Sequence, residues 1–407
     1  MTPTPRFLTY DEYNEKLKNM KTIKDVNAFV KDLVSPVLQQ MLEAEMTEHL
    51  GYDKYERPPE KDADANARNG HTVKTIKSSF GQGELKVPRD RNGTFEPVAV
   101  KKYETVTSDI EEKITSMYAK GMTTRDIHAH MADVYGVDVS AGMVSTITDK
   151  VLPLVREWQD RPLAAVYPIV YLDGIHFKVH ESGKIVNKCG YSVLGINTDG
   201  IKELLGIWIG GSEGAKFWLQ VLTDIRNRGV VDIVICCVDG LKGFPEAIAA
   251  VFPDAAVQQC IVHQVRSTVK YIAHKHQDKF CADLRTIYAA PTEEAGFSAL
   301  QVVKEKWPDY ALALKAWEEK WPLLCTFFDY TPAIRKLIYT TNAVESLHHQ
   351  FRKVTKTTTI FPHDEALTKL LWLAQNEIAR KWTMPSLGWK EIITQFAIRF
   401  PERIILD

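Results

Sequence analysis

The chain has no long apolar run: no segment of its 407 residues approaches eighteen uninterrupted apolar positions. A helix that crosses a bilayer needs about twenty such residues, so we expect no membrane partner. The opening residues, Met1-Thr-Pro-Thr-Pro-Arg, contain no apolar stretch of the kind that directs secretion. These absences favour a cytoplasmic protein.

Cysteine is scarce, and its six positions are scattered along the chain. Some of them, such as Cys236 and Cys237, lie inside apolar runs. This placement is typical of small buried side chains in a reducing compartment and argues against a disulfide scaffold. Internal repeats and low-complexity segments are also absent.

Charge of one sign is not in excess, because the formal net charge is −1. The composition, 45% hydrophobic and 25% charged, is ordinary for a globular protein. The length exceeds what a single hydrophobic core usually serves, so we expect two or more domains.

Positive charge is nevertheless concentrated between residues 66 and 103, where eight Lys and Arg stand against three acids. Thr72-Val-Lys-Thr-Ile-Lys and Glu84-Leu-Lys-Val-Pro alternate apolar and polar residues around Phe80-Gly-Gln-Gly, which predicts a basic β-hairpin. Such a hairpin could face DNA phosphates, although a solvated surface explains the charge equally well. The candidate DNA contacts here are Lys74, Lys77, Arg89 and Arg91.

Residues 1 to 50 have helical periodicity, and the helix is predicted to end before Gly51. Its predicted apolar face consists of Val34, Val37, Leu38, Met41, Leu42 and Met46. A linker rich in Pro, Glu, Asp and Asn is predicted from Tyr52 to Asn69.

Part of the helical stretch from Ser108 to Trp158 contains capping residues at the positions that a helix-turn-helix unit requires. Thr123 or Thr124 can cap a helix that ends at Gly136, and Ser140 can cap a second helix. The predicted inward residues are Ile127, Met131, Val134, Val144, Ile147 and Val151. The predicted exposed residues of the second helix are Met143, Ser145, Thr146, Thr148 and Lys150, and the candidate DNA contacts among them are Ser145, Thr146 and Lys150. An ordinary helical hairpin would have the same caps and spacing.

Residues 165 to 262 alternate strands and helices. Two apolar runs, Pro168-Ile-Val-Tyr-Leu-Asp173-Gly and Asp232-Ile-Val-Ile-Cys-Cys-Val-Asp239-Gly, predict buried strands that each end at Asp-Gly. Further strands are predicted at 175–179, 189–197, 204–209 and 256–262, with helices at 213–228 and 243–251. Antiparallel strands followed by helix, strand, helix and strand are the order of a ribonuclease H-like α/β fold. In that architecture the first and fourth strands are neighbours, so Asp173 and Asp239 would lie side by side.

The stretch from 263 to 329 lacks strand character and is rich in helix formers, which predicts an α-helical insertion in this core. Beyond it, Val344, Leu347, Phe351 and Val354 form an apolar stripe that would dock the helix of Glu345 on the sheet. The predicted regions are N-terminal helices at 1–60, the basic hairpin at 61–105, a helix-turn-helix-like DNA-binding domain at 106–162, the core at 163–262, the insertion at 263–329 and the C-terminal helices of the core at 330–407.

Asp173, Asp239 and Glu345 are the chemically most informative residues. Mg²⁺, like Mn²⁺, prefers hard oxygen ligands and keeps several waters, so two or three carboxylates together with substrate phosphates suit it. Three acids are enough for two ions about 3.5 to 4 Å apart, which can activate an attacking hydroxyl and stabilise a leaving oxygen. One Asp-Gly alone is more often a turn former, so only the combination supports this prediction.

Four blocks of sequence carry a family resemblance: Tyr171-Leu-Asp173-Gly-Ile-His-Phe-Lys-Val, Val238-Asp239-Gly-Leu-Lys-Gly-Phe-Pro-Glu-Ala-Ile, Cys260-Ile-Val-His263-Gln and Tyr339-Thr-Thr-Asn-Ala-Val-Glu345-Ser-Leu. In this order, and over a match from about residue 30 to the end, they resemble the Mutator-type transposases of bacterial insertion sequences. The resemblance implies a DDE transposase that uses two divalent ions per active site to cut element ends and join the freed 3′-hydroxyl to target DNA. It also implies terminal inverted repeats and target DNA as partners, and a bacterial, nucleoid-associated protein.

By this resemblance, Asp173, Asp239 and Glu345 match the catalytic triad and its metal ligands. Cys260 and His263 match a Cys-x-x-His motif of the family. We expect a structural or substrate-positioning role for this pair, because no second pair completes a tetrahedral zinc site.

Other residues are secondary candidates. Trp321 resembles a position at which such insertions stack on an unpaired base, whereas core packing is the common fate of a tryptophan. His348 and His349 depart from the Asn-Arg pair of the family. The basic side chains that could neutralise phosphates near the acids are Lys242, Arg352, Lys353 and Lys356.

Processing two element ends together would require at least a homodimer on DNA.

Two rival functions stay open at this point. A structure-selective nuclease of the same fold would share the acids and stop at hydrolysis, and a non-catalytic DNA-binding regulator would need only the helix-turn-helix unit.

Overall fold

The protein divides into two compact units, which span residues 1–150 and 151–407. The computed structural model describes residues 9–56, 66–102, 104–211, 214–240 and 243–405. The middle of the predicted linker therefore lies outside the described residues. The helix that follows residue 150 belongs to the second unit.

The N-terminal unit combines helices with a two-stranded sheet. Its described elements are α1 (Tyr10–Asn19), α2 (Ile23–Leu50), β1 (Arg68–Ser78), β2 (Gly81–Asp90), α3 (Ser108–Ala119), α4 (Thr124–Tyr135) and α5 (Ala141–Asp149). The antiparallel pairing of β1 with β2 confirms the predicted hairpin. Gly51 ends α2 with a φ of 75°, a left-handed conformation that glycine adopts without strain.

The predicted apolar face of α2 is only partly buried. Leu42 and Met46 are fully buried, and Leu42 packs with Ile76 and Leu85 of the hairpin. Val34, Val37 and Met41 were also expected to face inward, but they are 38%, 44% and 47% exposed, so this expectation was wrong. The hairpin covers a narrower side of the helix than the apolar stripe spans.

The caps predicted for the helix-turn-helix segment are confirmed. Thr123 and Asp126 form a capping box at the start of α4, Gly136 ends that helix, and Ser140 accepts a hydrogen bond at the start of α5. Ile127, Met131, Val144 and Ile147 are buried as predicted.

Two side chains in this segment differ from the prediction. Val134, expected inside, lies in the last turn of α4 and is 50% exposed, so this expectation was wrong. Thr148, expected on the surface, is fully buried, and its hydroxyl donates to the backbone carbonyls of Val144 and Ser145. These bonds satisfy the hydroxyl within its own helix, so burial leaves no polar group unpaired.

The second unit contains a five-stranded sheet surrounded by helices. Its described elements are α6 (Leu152–Asp160), β3 (Val166–Glu181), β4 (Lys184–Ile196), β5 (Lys202–Gly210), α7 (Ala215–Asn227), β6 (Asp232–Val238), α8 (Phe244–Val251), β7 (Ala256–Gln259), α9 (Ile261–Val269), α10 (Gln277–Tyr288), α11 (Glu293–Lys306), α12 (Ala311–Glu319), α13 (Trp321–Leu324), α14 (Pro332–Ile338), α15 (Asn342–Thr355), α16 (Asp364–Ala379) and α17 (Trp389–Arg399). Across the described ranges, no helix combines the length and the apolar content needed to cross a bilayer.

The strand order is β5-β4-β3-β6-β7, so the first and fourth strands of this unit are neighbours, as predicted. β3, β4 and β5 are antiparallel, whereas β6 runs parallel to β3. The prediction that the first strand ends at Asp173 was wrong, because β3 continues to Glu181. β4 pairs with β3 as far as Glu181, so the backbone hydrogen-bonding groups on both sides of Asp173-Gly174 have partners in the sheet.

The sheet separates two apolar cores. Ile169 and Tyr171 of β3 pack with the insertion helices, including Trp317 and Phe280. Val170 and Leu172, on the opposite face, pack with α7 and α8. Because side chains alternate along a strand, Asp173 lies on the same face of the sheet as Tyr171.

α15 is attached to β3 near both of its ends. Before the helix, the Tyr171 hydroxyl donates to the carbonyl of Leu337 at 3.1 Å. After it, Phe361 forms a bridge with Val179, with backbone hydrogen bonds of 2.9 Å to Lys178 and His180. These attachments fix the helix that carries Glu345 over the sheet.

Asp90 organises the end of the N-terminal hairpin. This residue is 4% exposed, and its carboxylate accepts hydrogen bonds from the Asn66 amide, from the Thr94 backbone and hydroxyl, and from the Phe95 backbone. Burial alone would raise the pKa of Asp90, but these hydrogen bonds hold the pKa well below its ordinary value of 3.8. Its stabilising contribution is therefore present above that value and is lost as the pH falls below it.

We predict that Asp90→Asn lowers the free energy of unfolding of the hairpin region by about 1–3 kcal/mol, because an amide nitrogen would then face hydrogen-bond donors. Urea unfolding of the full chain, with hydrogen exchange of the β1 and β2 amides, measures this loss. Asp133→Asn, at an exposed position on α4, is the matched control. Equal exchange protection in the two variants would contradict the role assigned to Asp90.

Candidate functional site

Asp173 and Asp239 emerge together at the end of a parallel ladder. β3 and β6 are paired up to Leu172 and Val238, and each aspartate is the next residue of its chain. Asp173 is 6% exposed, whereas Asp239 is half-buried. The sheet thus brings the two predicted carboxylates to one edge, although 66 residues separate them in sequence.

The surroundings of Asp173 are polar and buried. Its Oδ1 accepts from the backbone nitrogen of Gly174 at 2.8 Å, and its Oδ2 lies 3.4 Å from Nδ1 of His348 on α15. Ser192, its cross-strand partner, and His348 are almost fully buried. The Ser192 hydroxyl and His348 Nε2 have no hydrogen-bond partner within the described part of the chain. Unpaired buried polar atoms of this kind are characteristic of places that take water, ions or substrate.

Glu345 lies one turn before His348 on α15, in the first turn of the helix. Arg266 of α9 makes a bidentate ion pair with it: Nη1 is 2.8 Å from Oε1, and Nη2 is 3.2 Å from Oε2. His263 Nε2 lies 3.3 Å from the same Oε1. The Glu345 side chain is 23% exposed, so this cluster lies at the protein surface.

Cys260 joins the sheet to both of these helices. Its backbone nitrogen donates to the Val238 carbonyl at 2.8 Å, directly before Asp239. Its sulfur accepts from the Thr341 hydroxyl at 3.3 Å, at the start of α15. The next nitrogen, that of Ile261, donates to the Tyr339 carbonyl at 3.0 Å. Cys260 is fully buried, and these bonds link the end of β6 to the segment that begins α15.

The surroundings of His263 raise the pKa of its imidazole. Its contact with Cys260 raises the pKa of His263 to about 9, with burial opposing and the charges of Cys260, Asp173 and Glu345 adding to the rise. Burial raises the pKa of the Cys260 thiol, but the neighbouring His263 and the Thr341 hydroxyl outweigh burial, and the net direction is downward. This shift favours the imidazolium form of His263, and the charges of two of the three acids contribute to it.

The three acids do not form a finished metal site in the described part of the chain. Within the described ranges, no group of three His, Cys, Asp or Glu side chains is arranged to hold a metal ion. Asp173 and Asp239 have the donor type and the adjacency that a divalent ion requires. Both oxygens of Glu345 are paired with Arg266, so this carboxylate would have to leave its partner to become a ligand.

Other predicted residues fall outside this cluster. Trp321 is 9% exposed, its indole nitrogen donates to Glu293 at 3.0 Å, and its ring packs against Phe297 and Phe328, so it belongs to the core of the insertion. Lys242 lies outside the described residues. Arg352, Lys353 and Lys356 are exposed at the far end of α15, and His349 is exposed while its neighbour His348 is buried.

The candidate DNA contacts of the N-terminal unit differ in their availability. Arg89 and Arg91 are exposed. The Lys74 and Lys77 ammonium groups donate to the backbone carbonyls of Lys101 and Asp138, at 2.6 and 2.5 Å, and so hold the hairpin to its neighbours. On α5, Thr146 and Lys150 are exposed and Ser145 is half-buried, with Lys150 paired to Glu111 at 2.5 Å.

Sequence reasoning missed three residues of the site. Arg266 follows His263 by three positions on α9, a helical spacing that could have placed both on one face. His348 follows Glu345 by three positions in the same way. Nothing in the sequence marked Lys320. Its Nζ lies 3.0 Å from the point that a Cβ atom on Gly240 would occupy, so its ammonium group is beside Asp239-Gly240.

Comparisons with known proteins point in one direction. A model of the Mutator family of transposases matches residues 8–385. The transposase for insertion sequence element ISRM3 of Rhizobium meliloti (strain 1021) is 42% identical over 379 residues, which are 93% of this chain and 94% of that protein. A probable transposase for insertion sequence element of Corynebacterium diphtheriae is 39% identical over 338 residues, 78% of this chain and 98% of that protein. The Drosophila P element transposase strand transfer complex matches with a TM-score of 0.29 and 9% identity, over 72% of this chain and 88% of that one, which is too distant to establish a shared fold.

We predict that the imidazole of His263 titrates with a pKa of about 9 in the folded protein, above its ordinary value of 6.5. The folded state then binds this proton more tightly than the unfolded chain, so the stabilisation is complete below pH 6.5 and is lost as the pH rises through about 9. Nuclear magnetic resonance of histidine-labelled protein measures the midpoint. In Cys260→Ala the midpoint should move toward 6.5, while Cys281→Ala on α10 should leave it in place. A midpoint at or below 6.5 in the unaltered protein would refute the assignment.

Proposed function

Because this chain belongs to the Mutator family of transposases, we propose that it binds the ends of an insertion sequence, cuts DNA strands there and transfers them to a target. The reaction we propose is metal-dependent and uses Asp173, Asp239 and Glu345 as a DDE triad. The observation that supports this proposal is the position of Asp173 and Asp239 at the end of one parallel ladder, together with α15, whose His348 lies 3.4 Å from Asp173 and which carries Glu345 one turn earlier.

The proposed architecture of the catalytic unit is ribonuclease H-like. Three antiparallel strands followed by two parallel ones, in the order β5-β4-β3-β6-β7, support this assignment. The helices from α9 to α13 lie between β7 and the Glu345 helix in sequence, which is the place of the proposed insertion domain.

Mg²⁺ or Mn²⁺ is the proposed cofactor, with Asp173 and Asp239 as its first ligands and Glu345 as the third acid. Carboxylate oxygens are the donors that these ions prefer, and the unpaired Ser192 hydroxyl beside Asp173 is compatible with a hydrated ion. Two ions held there would supply an activated hydroxyl or water and stabilise the leaving oxygen of the cut strand.

The surrounding residues of this chain would position the acids. His348 orients Asp173 through its 3.4 Å contact, and its burial fixes the ring against Phe351. Cys260 fixes the spacing between the β6 end and α15 through its bonds to Val238 and Thr341. None of these roles requires a covalent intermediate between enzyme and DNA.

DNA recognition is proposed for the N-terminal unit. Arg89 and Arg91 are exposed and would face phosphates, and Thr146 of α5 and Lys150 just beyond its end are exposed as well, as on a recognition helix in the major groove. On the catalytic unit, Arg352, Lys353 and Lys356 form an exposed basic group on α15 that would contact the DNA backbone. We further propose at least a homodimer on DNA, because the reaction joins two element ends.

We predict that Asp173→Asn, Asp239→Asn and Glu345→Gln each slow cleavage and strand joining by about 10³-fold, because losing an ion's charge stabilisation raises the barrier by several kcal/mol. Binding of an element-end duplex should survive. The assay incubates labelled end DNA with Mg²⁺ and resolves nicked, cleaved and joined strands. Ca²⁺ in place of Mg²⁺ controls for binding without turnover.

Asp199→Asn, in an exposed turn between β4 and β5, is the matched control and should join strands at the rate of the unaltered protein. Joining at that rate by any of the three triad variants would remove that acid from the mechanism. Hydrolysis without strand transfer from a supplied 3′-hydroxyl end would identify a nuclease. Binding of the end duplex by the unaltered protein, without cleavage or joining in the presence of Mg²⁺, would leave only a DNA-binding regulator.

A further inference from the structure

Glu345 has a partner that competes with the role proposed for it. Both of its oxygens are engaged by the Arg266 guanidinium, at 2.8 and 3.2 Å. A planar guanidinium that covers both oxygens occupies the directions in which a carboxylate would bind a cation. The absence of a three-ligand metal cluster, in the part of the chain that is described, agrees with this pairing.

Arg266 is suited to exchange one anion for another. Its side chain is 57% exposed, so the guanidinium is accessible from solvent while it holds Glu345. The same rigid fork of donors fits a phosphate as well as a carboxylate. α9 places Arg266 one turn after His263, and therefore beside the acids where the cut strand would lie.

We propose that Arg266 is a positioning residue with two partners, Glu345 without DNA and a backbone phosphate of the bound strand with DNA. In the first state the third acid is withheld from the metal. In the second, the phosphate takes the guanidinium, and Glu345 is released toward Asp173 and Asp239. This inference rests on the proposed function, since it assumes that the three acids bind the ion.

The exchange couples DNA binding to metal binding. If a DNA phosphate frees Glu345, then DNA must raise the affinity for the ion, and the ion must raise the affinity for DNA by the same factor. Without DNA, the acids hold the ion weakly, so the protein would not hydrolyse DNA that is not seated along α9. The state of one ion pair would thus decide when the site is complete.

The test measures Mn²⁺ binding to the DNA-free full chain by electron paramagnetic resonance of the free ion. A partly exposed ion pair favours the closed state only modestly, so Arg266→Gln should raise Mn²⁺ affinity by about 3- to 10-fold. Arg266→Lys, which keeps the charge but loses the fork, should give a smaller rise. Arg285→Gln, at an exposed arginine on α10, is the matched control and should leave the affinity unchanged.

A second measurement follows binding of the end duplex as a function of salt. Loss of one phosphate contact in Arg266→Gln should reduce the magnitude of the slope of log affinity against log salt by about 1. The ratio of the Mn²⁺ affinity with DNA to the Mn²⁺ affinity without DNA should also fall toward one in this variant. An Mn²⁺ affinity in Arg266→Gln that is unchanged or lower than in the unaltered chain would overturn the proposal. An unchanged salt slope would also overturn it.

Asp173→Asn separates this proposal from the one on which it rests. If Asp173→Asn loses Mn²⁺ binding while Arg266→Gln behaves as the unaltered chain, the metal site stands and the exchange is wrong. If Asp173→Asn binds Mn²⁺ as tightly as the unaltered chain, the metal site itself is wrong, and the exchange is overturned with it.

Discussion

The buried turn at Cys260 is the constraint on which the candidate site depends. It bonds to the end of β6 through its nitrogen, to the start of α15 through its sulfur, and through Ile261 to the chain before that helix. Three segments that are far apart in sequence therefore meet at one fully buried residue. Displacement of this turn would move the Asp239 strand end, His263 and Glu345 relative to one another.

The sheet provides the other half of the site. Parallel pairing of β3 with β6 brings two aspartates to one edge. The alternation of side chains directs Asp173 toward the face of the sheet on which His348 of α15 contacts it. The opposite core, built on α7 and α8, packs against the other face of the sheet. In a site built from both strand ends and helix faces, the strand ends can be rigid while the side chains on the helices can change partners. Arg266 and Glu345 are side chains of the second kind.

Local signals made much of the fold predictable, because capping residues act within a few positions. Thr123, Gly136 and Ser140 mark helix ends through bonds to their own neighbours. The extent of burial was less predictable, as Val134 and Thr148 show, because it depends on which surfaces meet in three dimensions. The partner of Glu345 could not be predicted either: Arg266 is 79 residues away in sequence, and an arginine on a helix has many possible acids. The triad itself stays a prediction from the resemblance and the sheet.

The position of α15 late in the chain has a consequence for shortened products. The helices of the insertion separate Asp239 from Glu345, so a polypeptide that stops within them still contains the whole N-terminal unit and both aspartates. On the function proposed here, such a fragment would occupy element termini without being able to break them. A premature stop codon or ribosomal drop-off in this interval would then generate a competitor that restrains the mobility of the element encoding it.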